Sequence, residues 1–370
     1  MSKQKNAKNK RIINKNASVL SVVLLLIFFI VNFAGCNFIF NNTNINTPVA
    51  SGELAFHFLT LGNASSGDCV YVKAGDNDIL IDAGSSEGSI DDIKNYLSNN
   101  NLVSDGKFEY VIATHYDLDH IACFGIEDGI FDSYQCEVII DSPKTIKSSN
   151  KSYQKYIESR DNEVSLGAKH YSSLDCAKNQ NGAQRVFNLS DSFSMEILYN
   201  SIQEPTAKKP STENDLSVCV LFAHGSKKFL FTGDLQQEGE KLLLDNNNLS
   251  QVDLFKAGHH GSDTSSTEDF LRVIQPKICV IPCVANDKYD FPKINPIKNL
   301  AKYTSKVYLP IYKDDDGQVH VINGNIIVSS SGQNEVEITC DGTSDKKPIL
   351  LKDTEWFINN REMPTEWKNQ

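Results

Sequence analysis

Short apolar runs separated by polar turns recur along the chain from about residue 53. The runs at 55–59 and 78–84 are typical of strands, whereas 89–97 repeats its apolar residues at helical spacing. The same pattern predicts strands at 69–72, 109–113, 138–140, 192–199, 216–223, 228–231, 254–257, 278–282, 306–309, 318–321 and 325–328, and helices near 151–160, 238–244, 268–274 and 295–302. Many of these strands can pair antiparallel. We therefore predict a layered α/β body with helices outside two sheets.

The polar stretches divide the chain into segments. The predicted body occupies residues 53–335, and within it residues 142–188 have few periodic apolar positions, which predicts a surface insertion. Residues 37–52 are rich in Asn and Thr and suit a flexible linker. Residues 336–370 are polar and are predicted to form a C-terminal tail.

The first 36 residues differ from the rest in composition. Six basic residues and no acidic one precede an apolar run at 17–31, an order that predicts an export signal. The sequence Ala34-Gly35-Cys36 resembles a bacterial lipobox, in which Cys36 would carry the lipid. An uncleaved membrane helix at 17–40 and a buried core helix are the alternatives. The signal and the membrane helix both place the body at the extracellular face of the cell membrane, since the basic end stays inside. Release as a secreted protein is a further alternative that we keep open.

The charge balance limits the classes of partner. The chain has 36 basic and 47 acidic residues, a net charge of −11; without the six N-terminal basic residues the balance is 30 minus 47, or −17. An acidic body argues against a dedicated nucleic-acid binder, which carries a basic stripe. The cysteines at 69, 219 and 279 lie inside apolar runs, so we predict core residues and no disulfide.

One segment concentrates metal-binding side chains. His115, Asp117, Asp119 and His120 fall within six residues and follow the predicted strand at 109–113. Histidine and aspartate are ligands expected of zinc or manganese. Placing them so densely at a strand end is costly unless a cation offsets their charge and desolvation. The segment therefore predicts a metal site.

Four segments together resemble the metallo-β-lactamase superfamily, and more narrowly the extracellular hydrolase domain of ComEC-like DNA-internalisation competence proteins. They are residues 58–84, Thr114–His120, 214–234 and Lys256–Ser262, and the resemblance covers about residues 54–330. It implies an αββα sandwich of two mixed β-sheets with helices on the outer faces. Because the chain has a single long apolar segment, we expect no membrane channel of its own.

The resemblance also implies two divalent metal ions, zinc or manganese. His115 and Asp117 would hold one ion, Asp119 and His120 the other, and Asp234 would bridge them. Asp117 stands where the superfamily usually has the second histidine of this loop. An oxygen-rich set of this kind favours manganese without excluding zinc.

Further site residues follow from the same resemblance. His259 or His260 would complete the second ion, and Asn214 stands where relatives supply a histidine to the first. Asp119 and His260 are the predicted catalytic residues: the carboxylate would orient the hydroxide, and whichever histidine of the pair is spare would protonate the leaving group.

Three residues are predicted to support the site. Asp82 would hold the ligand loop, while Gly261 and Ser262 would grip a phosphate beside a helix start. Phe291 stands where the ComEC-like branch often has a histidine. The histidines at 57, 170, 224 and 320 have no supporting motif, and Lys256 is predicted to be a strand-end charge rather than a catalytic group.

We therefore expect an extracytoplasmic, metal-dependent hydrolase that cleaves phosphodiesters. The resemblance implies nucleic acid as the substrate, while single strands, nucleotides and a cell-wall phosphoester stay open. The alternatives are hydrolysis of another ester or a lactam, and a non-catalytic surface binding protein stabilised by metal.

Overall fold

The structure is a computed structural model, which describes residues 54–62 and 66–368. The predicted export signal or anchor, Cys36 and the linker at 37–52 lie outside the described residues. Within the described ranges, no helix is long and apolar enough to cross a membrane.

The strands follow the apolar runs closely. In chain order they are β1 (Leu54–Phe58), β2 (Asp68–Ala74), β3 (Asn77–Gly84), β4 (Lys107–Ile112), β5 (Gln135–Asp141), β6 (Lys169–Ser172), β7 (Val186–Asn188), β8 (Phe193–Ile197), β9 (Val220–His224), β10 (Lys227–Phe231), β11 (Leu254–Lys256), β12 (Ile278–Val280), β13 (Val284–Ala285), β14 (Val307–Tyr308), β15 (Ile311–Lys313), β16 (Val319–Val321), β17 (Ile326–Ser330) and β18 (Glu337–Cys340).

The helices lie between these strands. They are α1 (Ile90–Asn99), α2 (Leu118–Ile121), α3 (Ile130–Ser133), α4 (Lys151–Leu166), α5 (Ser173–Lys178), α6 (Gln237–Asn246), α7 (Glu268–Ile274), α8 (Ile294–Ala301), α9 (Glu355–Asn360) and α10 (Thr365–Lys368).

Two large mixed sheets form the body. The first has the order β18-β17-β1-β2-β3-β4-β5-β6, and the second has the order β14-β12-β11-β10-β9-β8-β7. In the first sheet β3 to β6 run parallel while β1, β2, β17 and β18 pair antiparallel. In the second, β10, β11, β12 and β14 are parallel and β7 to β10 are antiparallel. This architecture confirms the predicted αββα sandwich.

The period of two along each strand assigns its side chains to two layers. Phe56 of β1 and Phe229 of β10 enter a core between the sheets, with ring centroids 4.8 Å apart. The next residue on β10, Leu230, lies instead in a second core beneath helices α6 to α8. A third core, on the outer face of the first sheet, contains Tyr71 and residues of α1. Successive side chains of a strand such as β10 therefore enter the core between the sheets and the core beneath the helices in turn.

Two segments differ from their predicted roles. The insertion at 142–188 contains the predicted helix, α4, but it also adds the edge strand β6 to the first sheet, and Tyr156 of α4 is buried against Phe124. The segment set apart as a tail at 336–370 contributes β18 to the first sheet. Its Trp356 and Trp367 pack into the helical core, because apolar side chains spaced through a polar segment still find a buried face. A small sheet of β13, β15 and β16 was not predicted as a separate unit.

One buried carboxylate ties helix α6 to the start of α7. Glu240 accepts hydrogen bonds from the backbone N–H of Ser266 (2.5 Å) and Thr267 (3.0 Å) and from the Thr267 hydroxyl (2.7 Å). Burial raises the pKa of Glu240 to about 7, although these hydrogen bonds oppose the rise. Above pH 4.5, the ordinary pKa of a glutamate carboxyl, the unfolded chain therefore releases the Glu240 proton, whereas the native protein retains it.

A raised carboxyl pKa makes stability fall as the pH rises through the interval between the two pKa values. Between about pH 4.5 and pH 7, we expect the free energy of unfolding of Glu240→Gln to rise relative to that of the wild type by up to about 3 kcal/mol. Each pH unit between the two pKa values corresponds to about 1.4 kcal/mol. Urea unfolding of both proteins across this range measures the difference. Glu238→Gln, an exposed residue of the same helix, is the control, and equal pH slopes in the two variants would contradict the expectation.

Candidate metal centre

The predicted ligands meet where parallel strands of the two sheets end. Thr114–His120 follows β4, and Asp82 lies near the end of β3, its parallel neighbour. Asp234 follows β10 in the second sheet, and the pair His259–His260 follows β11, again a parallel neighbour. The carboxyl ends of parallel strands share one edge of a sheet, which is why segments far apart in sequence converge here.

Four side chains form the centre. Asp119, His120, Asp234 and His260 each offer a ligand atom, and these atoms all lie within 4.8 Å of one another. The Nε2 atoms of His120 and His260 both lie 3.2 Å from Oδ2 of Asp234. Nε2 of His260 is also 3.3 Å from Oδ2 of Asp119. Two imidazoles and two carboxylates in this spacing are a complete donor set for one divalent ion.

The orientation of the rings distinguishes a metal site from a hydrogen-bonded cluster. Nε2 of His115, His120 and His260 is fully buried, yet none makes a hydrogen bond of acceptable geometry, even where a carboxylate oxygen is close. A buried imidazole nitrogen without a partner costs free energy, and a cation between the rings would satisfy it. The residues present therefore fit a divalent metal ion.

The electrostatics of the cluster favour binding a cation. Burial disfavours the charged form of His120, but Asp234 and Asp82 outweigh it and raise its pKa well above the ordinary value. Burial would raise the pKa of Asp119, but contacts with His260 and His120 reverse the effect and lower it. In the metal-free protein, protons on the histidines thus balance the carboxylates, and a divalent ion would replace them.

The other predicted ligands lie beside this group. His115 is buried, and burial lowers its pKa to about 4, so its ring is neutral and free to ligate near pH 7. Its ring centroid is 4.1 Å from that of His120, and its Nε2 is 3.9 Å from Oδ2 of Asp117. The other carboxylate oxygen of Asp117 is in an ion pair with Lys147, a residue of the insertion that the sequence did not single out.

The two adjacent histidines have different surroundings. His260 belongs to the four-residue group, and its Nδ1 contacts the backbone oxygen of Pro282 at 2.9 Å. His259 is partly exposed, and its Nε2 lies 4.0 Å from Asp234, so His259 rather than His260 is the spare histidine. Nδ2 of Asn214 contacts Nε2 of His259 at 3.1 Å, which places the amide against this outer ring and not among the four ligands.

The backbone at this pair is strained. His259 and His260 have φ values of 46° and 52°, in the left-handed region that costs an L-residue roughly 1–2 kcal/mol. Gly261 follows with φ 79°, and a Cβ there would lie 2.7 Å from Cβ of Pro292. Strain of this kind collects at functional sites, where the surrounding structure holds it.

Asp82 supports the ligand loop from behind. Its carboxylate accepts hydrogen bonds from the backbone N–H and the hydroxyl of Thr114, both at 2.7 Å. The same carboxylate lies 2.8 Å from Nδ1 of His120, the nitrogen opposite the one that faces the cluster. It therefore fixes the direction in which His120 presents Nε2.

The structure uses one donor of the predicted phosphate grip elsewhere, and the rest of the grip stays a prediction. The nearby helix is α7, which begins at Glu268 as the sequence predicted, with Thr267 as its N-cap. The backbone N–H of Ser262 donates to the oxygen of His259 at 2.8 Å, because the chain closes a tight turn there. The Ser262 hydroxyl contacts Oγ1 of Thr264 at 3.0 Å. The turn instead supports the histidine pair.

Two charged residues that the sequence reasoning missed complete the centre. Lys256 is fully buried, and its Nζ lies 2.5 Å from Oδ2 of Asp68 and 3.5 Å from Oδ1 of Asp234. Burial would lower the pKa of Lys256, but the two carboxylates outweigh it and keep the ammonium charged. Lys256 is the last residue of β11, as predicted, but it is an internal cation held by two carboxylates. The signal in the sequence was a charge inside the apolar run 254–257 and another at 68, beside the run at 69–72.

The comparison with known families agrees with this geometry. The model of the metallo-beta-lactamase superfamily matches residues 62–166 and 206–283, which include every ligand segment. The chain carries a metallo-β-lactamase domain. The superfamily consists of metal-dependent hydrolases, and the candidate ligand groups of this domain are those just described.

The relatives of the metallo-β-lactamase domain include competence proteins. ComE operon protein 3 of Bacillus subtilis (strain 168) is 25% identical over 201 residues, which are 54% of this chain and 23% of that protein. Competence protein ComA of Neisseria gonorrhoeae is 34% identical over 91 residues, 24% of this chain and 13% of that one. The chain thus matches less than a quarter of the length of these relatives. The metallo-beta-lactamase fold protein YhfI from Bacillus subtilis has a TM-score of 0.42 at 14% identity, covering 72% of this chain and 99% of its own.

The buried lysine of the metallo-β-lactamase domain gives a test of the electrostatic account. Lys256→Met leaves Asp68 and Asp234 buried without their ammonium, and removing one partner of a buried ion pair costs about 3–5 kcal/mol. We expect urea unfolding of the metal-free protein to show a loss of this size, which added manganese or zinc partly restores. Lys241→Met, on the exposed face of α6, is the control. A loss of less than about 1 kcal/mol would mean that Lys256 does not hold these carboxylates.

Proposed function

We propose that this protein is a phosphodiesterase that uses two divalent ions, zinc or manganese. The observation that carries the proposal is the convergence of Asp119, His120, Asp234 and His260, with His115 and Asp117 directly beside them. The inner group would hold one ion, and the neighbouring pair would contribute to a second. When bound, the ions would supply Lewis acidity and lower the pKa of a water molecule toward neutrality.

The chain's own residues supply the rest of the reaction. The Asp119 side chain is one-third exposed, so it can contact and orient a water molecule that enters from solvent. His259 is the spare histidine at the outer edge, where a departing alkoxide would leave the centre. Asn214 and Thr264 contact its two ring nitrogens and so orient the ring.

The choice of a phosphodiester depends on the surroundings of the ligands. Asp117 stands where a histidine is usual in the superfamily, which makes the ligand set richer in oxygen. Lys147 reaches the same edge and provides a cation beside the centre, suited to an anionic substrate. Nucleic acid is the substrate that the resemblance to competence proteins implies. Nucleotides and cell-wall phosphoesters share the same bond.

We expect Asp119→Ala to lower the kcat for phosphodiester cleavage by about 10²–10⁴-fold, because one ligand of the inner group and the carboxylate that orients the attacking water are lost. The purified protein, loaded with manganese or zinc, is assayed on bis-p-nitrophenyl phosphate, single-stranded DNA and a cephalosporin. Chelation should abolish the activity, and added metal should restore it.

Asp315→Ala removes an exposed carboxylate from the turn between β15 and β16 and is the matched control. Cleavage that survives Asp119→Ala would exclude the proposed mechanism. Turnover of the cephalosporin but not of the phosphodiesters would show that the protein hydrolyses lactams. Metal binding without turnover of any substrate would show that it is a binding protein.

We also propose that the protein acts outside the cytoplasm, held at the membrane by a lipid on Cys36. The support is the order of basic, apolar and small residues in the first 36 positions. We expect the wild-type protein from a bacterial membrane fraction to have a mass that corresponds to a lipidated N-terminus at Cys36. Mass spectrometry of Cys36→Ser should show the unprocessed chain. An identical, full-length mass for both proteins would favour an uncleaved membrane helix.

A further inference from the structure

One loop forms an aromatic wall beside the centre. The Phe291 ring is buried, and its centroid lies 5.9 Å from that of His259 and 6.0 Å from that of His260. The backbone N–H of Lys293 donates to the oxygen of Gly261 at 2.8 Å. The loop at 286–293 is therefore bound directly to the turn that carries the histidine pair.

The same loop is fixed from behind at several points. Asp287 is buried, and its carboxylate accepts hydrogen bonds from the Ser66 hydroxyl and from the backbone N–H of Tyr289, both at 2.8 Å. Arg361, in the C-terminal segment, binds the carboxylate of Asp290 at 2.6 Å and the oxygen of Pro292 at 3.2 Å. With both flanks held in this way, the loop presents its tip in one defined position.

The tip carries an aromatic ring, that of Tyr289, which is largely exposed to solvent. Tyr289 is 53% exposed, although its ring lies 5.5 Å from that of Phe291 with an angle of 31° between the planes. The exposed Lys288 side chain places Nζ 4.6 Å from the centroid of the Tyr289 ring. On the ligand loop, Leu118 lies between Asp117 and Asp119 and is 48% exposed. The two loops that border the centre thus both expose apolar surface.

An exposed ring on a rigid loop is suited to stacking. Aromatic side chains that hold single-stranded nucleic acid contribute about 1–3 kcal/mol per base, and every base offers a flat face to them. The Lys288 ammonium lies over one face of the Tyr289 ring, and its flexible side chain can turn toward a phosphate when a base takes that face. Stacking acts through the face of the base, while Lys288 and Lys147 supply cations for the backbone.

We propose that Tyr289 stacks on an unpaired base next to the scissile phosphate and gives the centre a preference for single-stranded nucleic acid. Lys288 beside it contacts the adjoining phosphate. This inference rests on the proposed phosphodiesterase function and adds the residue that selects the substrate. A duplex is a poor ligand, since its bases must first be unpaired and unstacked at a cost of a few kcal/mol.

Binding measurements separate this role from catalysis. The full chain in its metal-free form, which cannot cleave the strand, is titrated against a fluorescein-labelled oligothymidylate of about eight nucleotides and against an abasic strand of the same length. We expect Tyr289→Ala to weaken binding of the oligothymidylate by about 5- to 150-fold, the equivalent of one stacked base. Binding of the abasic strand should not change, because it has no base to stack.

Two further variants control for folding and for surface effects. Tyr289→Phe keeps the ring and should bind the oligothymidylate as the parent does. Val321→Ala removes a comparably exposed apolar side chain from β16 and should have no effect. Thermal unfolding of each variant excludes a loss of structure, which is not expected at a half-exposed position.

Failure of base stacking by Tyr289 can be distinguished from failure of the proposed phosphodiesterase activity. Equal loss on both strands, or no loss on either, would overturn the role of Tyr289 and leave the hydrolase intact. Asp119-dependent cleavage of bis-p-nitrophenyl phosphate without binding of any oligonucleotide would exclude base recognition. Tighter binding of duplex than of single strand would also overturn the inference.

Discussion

The ion pair between Lys256 and the carboxylates of Asp68 and Asp234 is the interaction on which the centre depends. All three side chains are buried at the edge of the sandwich, together with the rings of His120 and His260. A carboxylate cannot remain ionised in such surroundings without a cation beside it. Lys256 supplies such a cation from within the chain. The remaining negative charge of the ligand cluster would be balanced by divalent ions.

Backbone geometry adds a second constraint. His259 and His260 take the left-handed conformation in succession, and Asp82 does so as well, with φ 58°. The turn at Gly261, with its bond to Lys293, offsets the strain at the histidine pair by joining the turn to a well-anchored loop. The result is that His260 enters the centre while His259 remains at its rim. A relaxed backbone would not present two adjacent residues to such different environments.

In the function we propose, the rim rather than the ligands decides what this centre acts on. The metal-binding side chains belong to the superfamily's common chemistry, but Lys147 comes from the insertion and Tyr289 from a loop that the C-terminal segment braces through Arg361. Segments that the sequence set apart as peripheral therefore position the side chains to which we assign substrate contact. Their charges and exposed ring suit a flat, anionic ligand better than a small neutral ester.

The sequence by itself determined the layers of the sandwich and the main ligand loop. Both depend on local order: alternation with period two assigns each strand residue to one face, and His115 to His120 are neighbours in the chain. The tertiary structure alone decided that His260 rather than His259 joins the cluster, that the backbone N–H of Ser262 closes a turn, and that Asp117 pairs with Lys147. It also decided that Lys256 and Asp68 meet. These outcomes depend on burial and on contacts between distant segments, whose direction and distance are set by strand pairing and not by spacing along the chain.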